Sequence, residues 1–153
     1  MFTGNYRHTI DDNNRLAIPS SIRKCVDEKK EGKGFFITPG LDKCLALYSP
    51  LHFEETSKKL TVPMFTNKKA RNFQRLFFSM SSSVVTCDKQ GRIIIPQLHK
   101  DYAGLKKEVI IIGVMDRVEI WDLQHWKEFE EDNEQNFERD AEDLFRLGSA
   151  PSQ

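Results

Sequence analysis

DDNNRLAIP (residues 11–19) and DKQGRIIIP (residues 88–96) are two copies of one phrase, with Asp, Arg, Ile and Pro in register 77 positions apart. Self-similarity of this kind reports one supersecondary unit used twice. Each copy is a polar turn that runs into an apolar strand and stops at a proline, and each presents an Asp and an Arg four residues apart. The repeated surface is therefore the first place to look for function.

The likeness continues past the prolines. LALY (residues 45–48) matches VEIW (residues 118–121), and His52-Phe53 matches His125-Trp126, now at an offset of 73. The change of four fits a difference in loop length. Further apolar runs at residues 35–38 and 109–113 complete the pattern, so each copy reads as hairpin, short helix, strand, strand, helix. Two half-domains follow, residues 1–80 and 81–147. Residues 148–153 are small and polar with one proline, and are expected to form a tail because they cannot bury enough surface to offset their ordering entropy.

Within each hairpin, residues 5–10 and 15–18 read as strands joined by DDNN, and residues 84–87 and 92–95 read likewise around DKQG. Asn13, Asn14 and Gly91 sit where tight turns demand positive φ. Pro19 and Pro96 end the strands and suit the first turn of short helices over 20–26 and 97–102, where a missing N–H costs nothing. In residues 67–78, Ala70, Phe73 and Phe77 fall at helical spacing, which predicts an amphipathic helix that packs by these side chains and leaves Lys68, Arg71 and Arg75 outside. From Leu123 onward, Trp126 and Phe129, then Phe137, Ala141, Leu144 and Phe145, mark the apolar stripes of one or two acidic helices. The combination predicts an α+β fold around a small antiparallel barrel or sandwich. Phe35, Phe36, Tyr48, Phe53, Phe73, Phe77, Trp121 and Trp126 are expected in the core or at subunit seams rather than stacked on bases.

Composition narrows the classes of function. With 39% apolar and 30% charged residues the chain is that of a globular protein. Its longest apolar stretch, around residues 109–115, is far short of the roughly 20 residues that span a bilayer, and MFTGNYRH at the N-terminus lacks a signal-peptide apolar region. No membrane association and a cytoplasmic location are expected. Three cysteines, Cys25, Cys44 and Cys87, are odd in number and show no CxxC spacing, so they are expected to be reduced and structural. HExxH, GxSxG and glycine-rich phosphate loops are all missing, so no enzymatic activity, cofactor or metal is expected. His8, His52, His99 and His125 are scattered. The equivalence of His52 and His125 leaves a metal or small-ligand site as an alternative, although packing at two helix starts explains the pair as well.

Zero net charge conceals a strong asymmetry. Residues 1–100 carry 17 Lys and Arg against 9 Asp and Glu, whereas residues 101–153 carry 6 against 14. Between Thr56 and Cys87 no acidic residue occurs, while Lys58, Lys59, Lys68, Lys69, Arg71 and Arg75 do. A basic surface of this kind can meet an anionic polymer, or it can simply solvate a helix face.

The turns supply the chemistry. Arg15 and Arg92 close the two turns, where a guanidinium can fork onto a phosphate or onto the O6 and N7 of guanine. Lys89, Arg7 and Arg23 are near enough in sequence to add phosphate contacts. The competing reading is that Asp11–Arg15 and Asp88–Arg92 are ion pairs within the turns, worth about 0–1 kcal/mol if exposed. Asp11 and Asp88 repel a DNA backbone but accept N–H bonds at a turn start, so with Gly91 they form the scaffold that orients the arginines. Asn13, Asn14 and Gln90 can reach adenine edges, or be present for the turn alone.

The short N-terminal MFTG, the two DxxxR hairpins that each run into an xxIP strand end, and the length of about 150 residues together resemble the MraZ family of bacterial regulators. The likeness covers nearly the whole chain. It implies tandem AbrB-like swapped-hairpin units around a small β-barrel core with flanking helices. It also implies a homo-oligomer closed into a ring, associated with the nucleoid, that binds double-stranded DNA at tandem repeats in the promoter of the division and cell-wall gene cluster. The second hairpin matches DxxGR in full; the first departs from the usual DxKGR, with Asn13 for the lysine and Asn14 for the glycine. A protein-interaction adaptor acting through the acidic C-terminal helix is the remaining alternative, and it predicts indifference to DNA.

Overall fold

A computed structural model describes residues 1–60 and 66–149. In chain order the elements are β1 (Asn5–Thr9), β2 (Arg15–Ala17), α1 (Ser20–Arg23), α2 (Glu28–Glu31), β3 (Phe36–Pro39), β4 (Leu45–Tyr48), α3 (Pro50–Lys59) and α4 (Lys68–Ser79). They continue as β5 (Arg92–Ile94), α5 (Gln97–Ala103), β6 (Glu108–Val114), β7 (Arg117–Asp122), α6 (Leu123–Asn133), a 3-10 turn (Glu134–Asn136) and α7 (Phe137–Ser149). The chain divides into a first compact unit, Met1–Leu123, and a second, Gln124–Gln153.

Both predicted turns form, but their arms do not pair with each other. The Asp11 N–H donates to the Arg15 carbonyl and the Asn14 N–H to the Asp11 carbonyl, each at 3.0 Å. Beyond the turn the two strands part. β1 pairs antiparallel with β6, and β2 pairs antiparallel with β5 of the other half, in the register Arg15↔Ile94, Leu16↔Ile93, Ala17↔Arg92. Strands of three residues are too short to hold an isolated hairpin. Exchange between halves instead lets Leu16 and Ile93, 0% and 1% exposed, face each other in one core.

Pseudo-twofold symmetry follows from this exchange. Leu16 and Ile93 are equivalent by the offset of 77 and lie opposite each other, and Ala46 and Glu119, equivalent by the offset of 73, pair at the junction of β4 and β7. The Ile18 N–H donates to the Gly91 carbonyl at 2.9 Å, and the equivalent Ile95 N–H donates to the Asn14 carbonyl at 2.8 Å. Each strand end is thus tied to the turn of the other copy.

The main sheet has the order β1-β6-β7-β4-β3 and does not close, so the expected barrel is not what forms among the described residues. Its two hairpins, β3–β4 and β6–β7, meet along β4 and β7, which leaves β1 and β3 at opposite edges. Residues 84–87, expected as a full strand, contribute one bridge, Val85 to Phe35. Ile37, Leu45, Leu47, Val109, Ile111, Val118 and Ile120 pack with Leu16, Ile18, Ile93 and Ile95 of the β2–β5 ribbon to make the core. Strand alternation sends Ala46, Tyr48, Arg117 and Glu119 to the opposite face.

Pro19 and Pro96 cap α1 and α5 rather than occupying their first turn. Their carbonyls accept from Ile22 and Arg23, and from His99 and Lys100, again 77 apart. α4 forms as predicted, with Asn67 accepting from the Ala70 N–H, but none of its residues is buried and Phe73 is 44% exposed, so Phe73 is not a core residue. Its aromatic rings instead form a chain: Phe36 stacks on Phe53, Phe53 meets Phe78 edge-on, and Phe78 meets Phe77, which stacks on Phe73. In the second unit Trp126 stacks on Phe129, and α7 runs through Gly148 and Ser149, where composition suggested a tail. Residues 150–153 of that expected tail lie outside the described residues.

Candidate nucleic-acid interface

The two turns are built alike, atom for atom. Asp11 Oδ1 accepts the backbone N–H groups of Asn13 and Arg15, both at 2.9 Å, while its Oδ2 accepts Arg15 Nε at 2.9 Å. Asp88 Oδ1 accepts the N–H groups of Gln90 and Arg92 at 2.8 and 2.9 Å, and its Oδ2 accepts Arg92 Nε at 2.9 Å. Asp is the residue for this place because a short carboxylate reaches backbone donors two and four residues on. The N–H bonds from Arg15 and Arg92, with the ion pairs behind them, hold both carboxyls below the usual range.

The reading of these residues as ion pairs within the turns is realised. Each Asp–Arg pair is an ion pair within its turn, but it engages only Nε. Among the described residues neither guanidinium has another partner, so Nη1 and Nη2 of each, a ready fork, remain available. The side chains are half-buried, 35% exposed for Arg15 and 28% for Arg92, so their stems are held while their tips reach solvent.

The register of the ribbon brings the two arginines together. Arg15 and Ala17 alternate with buried Leu16, and Arg92 and Ile94 with buried Ile93, so these four residues share the outer face. Arg15 lies opposite Ile94 and is the diagonal neighbour of Arg92, at the ~7–8 Å typical of such pairs. Ile94, 61% exposed, is an apolar group on this face that the sequence did not single out.

The other expected site residues divide. Asn14 adopts φ 60° and Gly91 φ 76°, so Asn14 supplies the left-handed turn that glycine supplies in the second copy. Asn14 Oδ1 accepts Lys100 Nζ at 2.8 Å, which commits its carbonyl to the protein. Arg23, the equivalent of Lys100 by the offset of 77, donates from Nε to the Ile18 carbonyl, and its guanidinium lies over Gly91 where a Cβ would meet it at 2.7 Å. A cation from each half therefore braces the turn of the other half. Lys100 was legible only through register with Arg23.

Asn13, Lys89 and Gln90 are exposed at the turn tips. Arg7 stands apart on β1 in the main sheet, paired with Glu108 at 3.1 Å. His52 does not stand open: its Nδ1 lies 2.9 Å from Ser49 Oγ and 3.2 Å from Glu31 Oε1, in the cluster that caps α3. Among the described residues no group of three His, Cys, Asp or Glu is placed to hold a metal, and no helix is long and apolar enough to cross a membrane.

Fold and site together define a duplicated α+β protein whose halves exchange hairpin arms and present twin Asp–Arg turns on a two-stranded ribbon. A family model described as "MraZ protein, putative antitoxin-like" matches residues 1–76 and again residues 78–147. The chain belongs to the MraZ family.

Proposed function

We propose that this protein is a sequence-specific, double-stranded-DNA-binding transcriptional regulator that grips its operator through the β2–β5 ribbon. The single observation behind this reading is the pair of turns in which Asp11 and Asp88 hold Arg15 and Arg92 by Nε and leave two terminal nitrogens of each toward solvent. A guanidinium held this way pays little ordering entropy on binding, and its fork matches two phosphate oxygens or the O6 and N7 of guanine. Lys89, Gln90 and Asn13 flank these forks at the turn tips, and Arg23 and Lys100 add charge behind them. Ile94 offers an apolar contact suited to a thymine methyl.

The second hairpin is the stronger contact of the two. Its turn carries Asp88, Lys89 and Arg92, a net +1, against Asp11, Asp12 and Arg15, a net −1, in the first. Two turns give few contacts, whereas specific sites are held at about 10⁻⁸ M or tighter. Several copies acting together supply the difference, since tethering turns each further contact into an intramolecular one. A closed-ring homo-oligomer over tandem operator repeats about one helical turn apart, roughly 10 base pairs, fits this need. Membership in the MraZ family supports the same reading, with the promoter of the division and cell-wall genes as operator and a cytoplasmic, nucleoid-associated location. Gel shift of the purified protein against DNA upstream of its own gene tests it; indifference to that DNA, with a partner protein captured through the C-terminal helix, would favour an adaptor instead.

A further inference from the structure

Beside the second turn the duplication is broken, and the break leaves a cleft. In the first copy the arm ahead of the turn pairs with β6 as far as Thr9, and the Ile10 N–H then donates to the Lys107 carbonyl at 2.8 Å. In the second copy Val85 bridges Phe35, as its equivalent His8 pairs with Val109, but there the ladder ends. Gly34, at φ 87°, turns the chain aside where Glu108 runs on in the other half, and a Cβ on it would come within 2.6 Å of the Val85 carbonyl oxygen. The Cys87 N–H, equivalent to that of Ile10, therefore makes no bond to the Lys33 carbonyl, and a space of about 290 Å³ opens beside them.

The lining gives this cleft a definite chemistry. Arg23, Lys24 and Lys33 stand in it against Glu28, a net charge of +2, while Val26 and Phe35 supply an apolar wall. Burial pushes the Cys87 thiol up from its ordinary value, so it stays neutral at pH 7 and adds no negative charge. Among the described residues Lys24 and Lys33 have no ion-pair partner, and Arg23 engages only its Nε, on the Ile18 carbonyl. Three cations around one hollow repel each other, and an anion between them relieves the repulsion. A phosphate monoester carries about 1.5–2 negative charges at pH 7 on three acceptor oxygens, which matches both the net charge and the three donors. Its organic part would lie on Val26 and Phe35. Ligand pockets run from about 300 Å³ upward, so the guest is a small one.

We propose that this cleft binds a small organic phosphate monoester through Arg23, Lys24 and Lys33, and that its occupation opposes DNA binding. The regulatory half of the proposal rests on the ribbon as the DNA contact; the binding half does not. Arg23 belongs to both, because its guanidinium lies over Gly91 in the turn that projects Arg92. A phosphate on its terminal nitrogens sets negative charge at the back of that turn, which weakens the attraction of the Arg92 fork for a DNA backbone. By linkage, bound DNA weakens the phosphate ester by the same factor. A backbone phosphate of the DNA itself has the same chemistry, but Arg15, Arg92 and Ile94 of the outer ribbon face are not part of the cleft, so the free ester is the occupant it suits.

Phenyl phosphate is a suitable probe. Titrated into the DNA-free protein in a calorimeter, it should bind at one saturable site per chain, several-fold more tightly than inorganic phosphate. Lys24→Gln with Lys33→Gln, both exposed, should weaken that binding at least tenfold and leave the melting temperature unchanged. No saturation, equal binding of the two phosphates, or full affinity in the double variant overturns the site. In a second arm at constant ionic strength, saturating phenyl phosphate should weaken binding to upstream DNA about 5-fold or more in the wild-type protein and not in the double variant. DNA affinity indifferent to bound phenyl phosphate overturns the regulation. A double variant that instead loses DNA affinity, its salt slope lower by about 0.9 for each lysine, while phenyl phosphate fails to bind the wild type, would give these cations to the DNA backbone and overturn the proposal. The first arm contains no DNA, so phenyl phosphate bound by a protein that ignores DNA would refute the ribbon and uphold the cleft.

Discussion

Replacing Arg92 by alanine removes both free terminal nitrogens from the better-charged turn, while the bonds from Asp88 to the Gln90 and Arg92 backbone remain. A bidentate contact of this kind is worth about 1–3 kcal/mol, which is roughly 5- to 150-fold in Kd for each engaged subunit. If the contact is to phosphate, the slope of log K against log salt falls by about 0.9 as well. Arg15→Ala should cost less, because Asp12 already weakens its turn. Asp88→Asn separates orientation from charge. It removes a negative charge, so simple Coulomb attraction predicts tighter binding. Yet an amide has one acceptor oxygen where the carboxylate has two, so Asn cannot accept both the backbone N–H pair and Arg92 Nε, and loss of alignment predicts weaker binding. Fluorescence anisotropy on upstream DNA from 50 to 200 mM salt would resolve these, with thermal melts confirming that each variant is folded. Unchanged affinity and slope in the Arg15→Ala, Arg92→Ala double variant would refute the ribbon as the contact surface.

Further expectations are as direct. Ile93→Ala, at the fully buried centre of the pseudo-twofold, should cost about 2–5 kcal/mol by chemical denaturation, whereas Ile94→Ala next to it should cost little stability and act on DNA binding instead. Because Asp11 and Asp88 are lowered in the folded protein, the stabilisation their turns supply is complete above the ordinary carboxyl value of 3.8 and is lost as pH falls through the lowered values; carboxyl chemical shifts in a pH titration should show both titrating below 3.8. Burial, with the Glu119 charge behind it, pushes the Cys44 thiol up to about 12, so alkylation at neutral pH should label exposed Cys25 in the native protein and Cys44 only on unfolding, as mass spectrometry of peptides would show. Asp12→Lys should tighten DNA binding and steepen its salt dependence, since it gives the first turn the charge of the second.

Much of this was legible in the residues. The 77-residue register located both turns, and the short reach of Asp to neighbouring N–H groups is a local property, so the cradles of Arg15 and Arg92 follow from the phrase itself. The α4 and α7 stripes were equally visible as periodicity. What periodicity does not say is whether an apolar stripe is buried. Phe73 was expected in the core or at a subunit seam and is exposed in the single chain, because nothing in the spacing of a helix reveals what packs against it. Arg7 belonged with the turn by sequence distance, but β1 leaves the turn for the main sheet and takes it to Glu108.

The amino-acid sequence by itself determined the twin turns, their arginines, the duplication and the split of charge between the two ends of the chain, since each depends on contacts within a few residues or on composition. Tertiary structure alone decided that β2 pairs with β5, that Arg23 and Lys100 brace the opposite turns, and that the main sheet stays open. Three-residue apolar strands satisfy any partner of matching register. Only the shared core, in which Leu16 meets Ile93, selects the one that buries both.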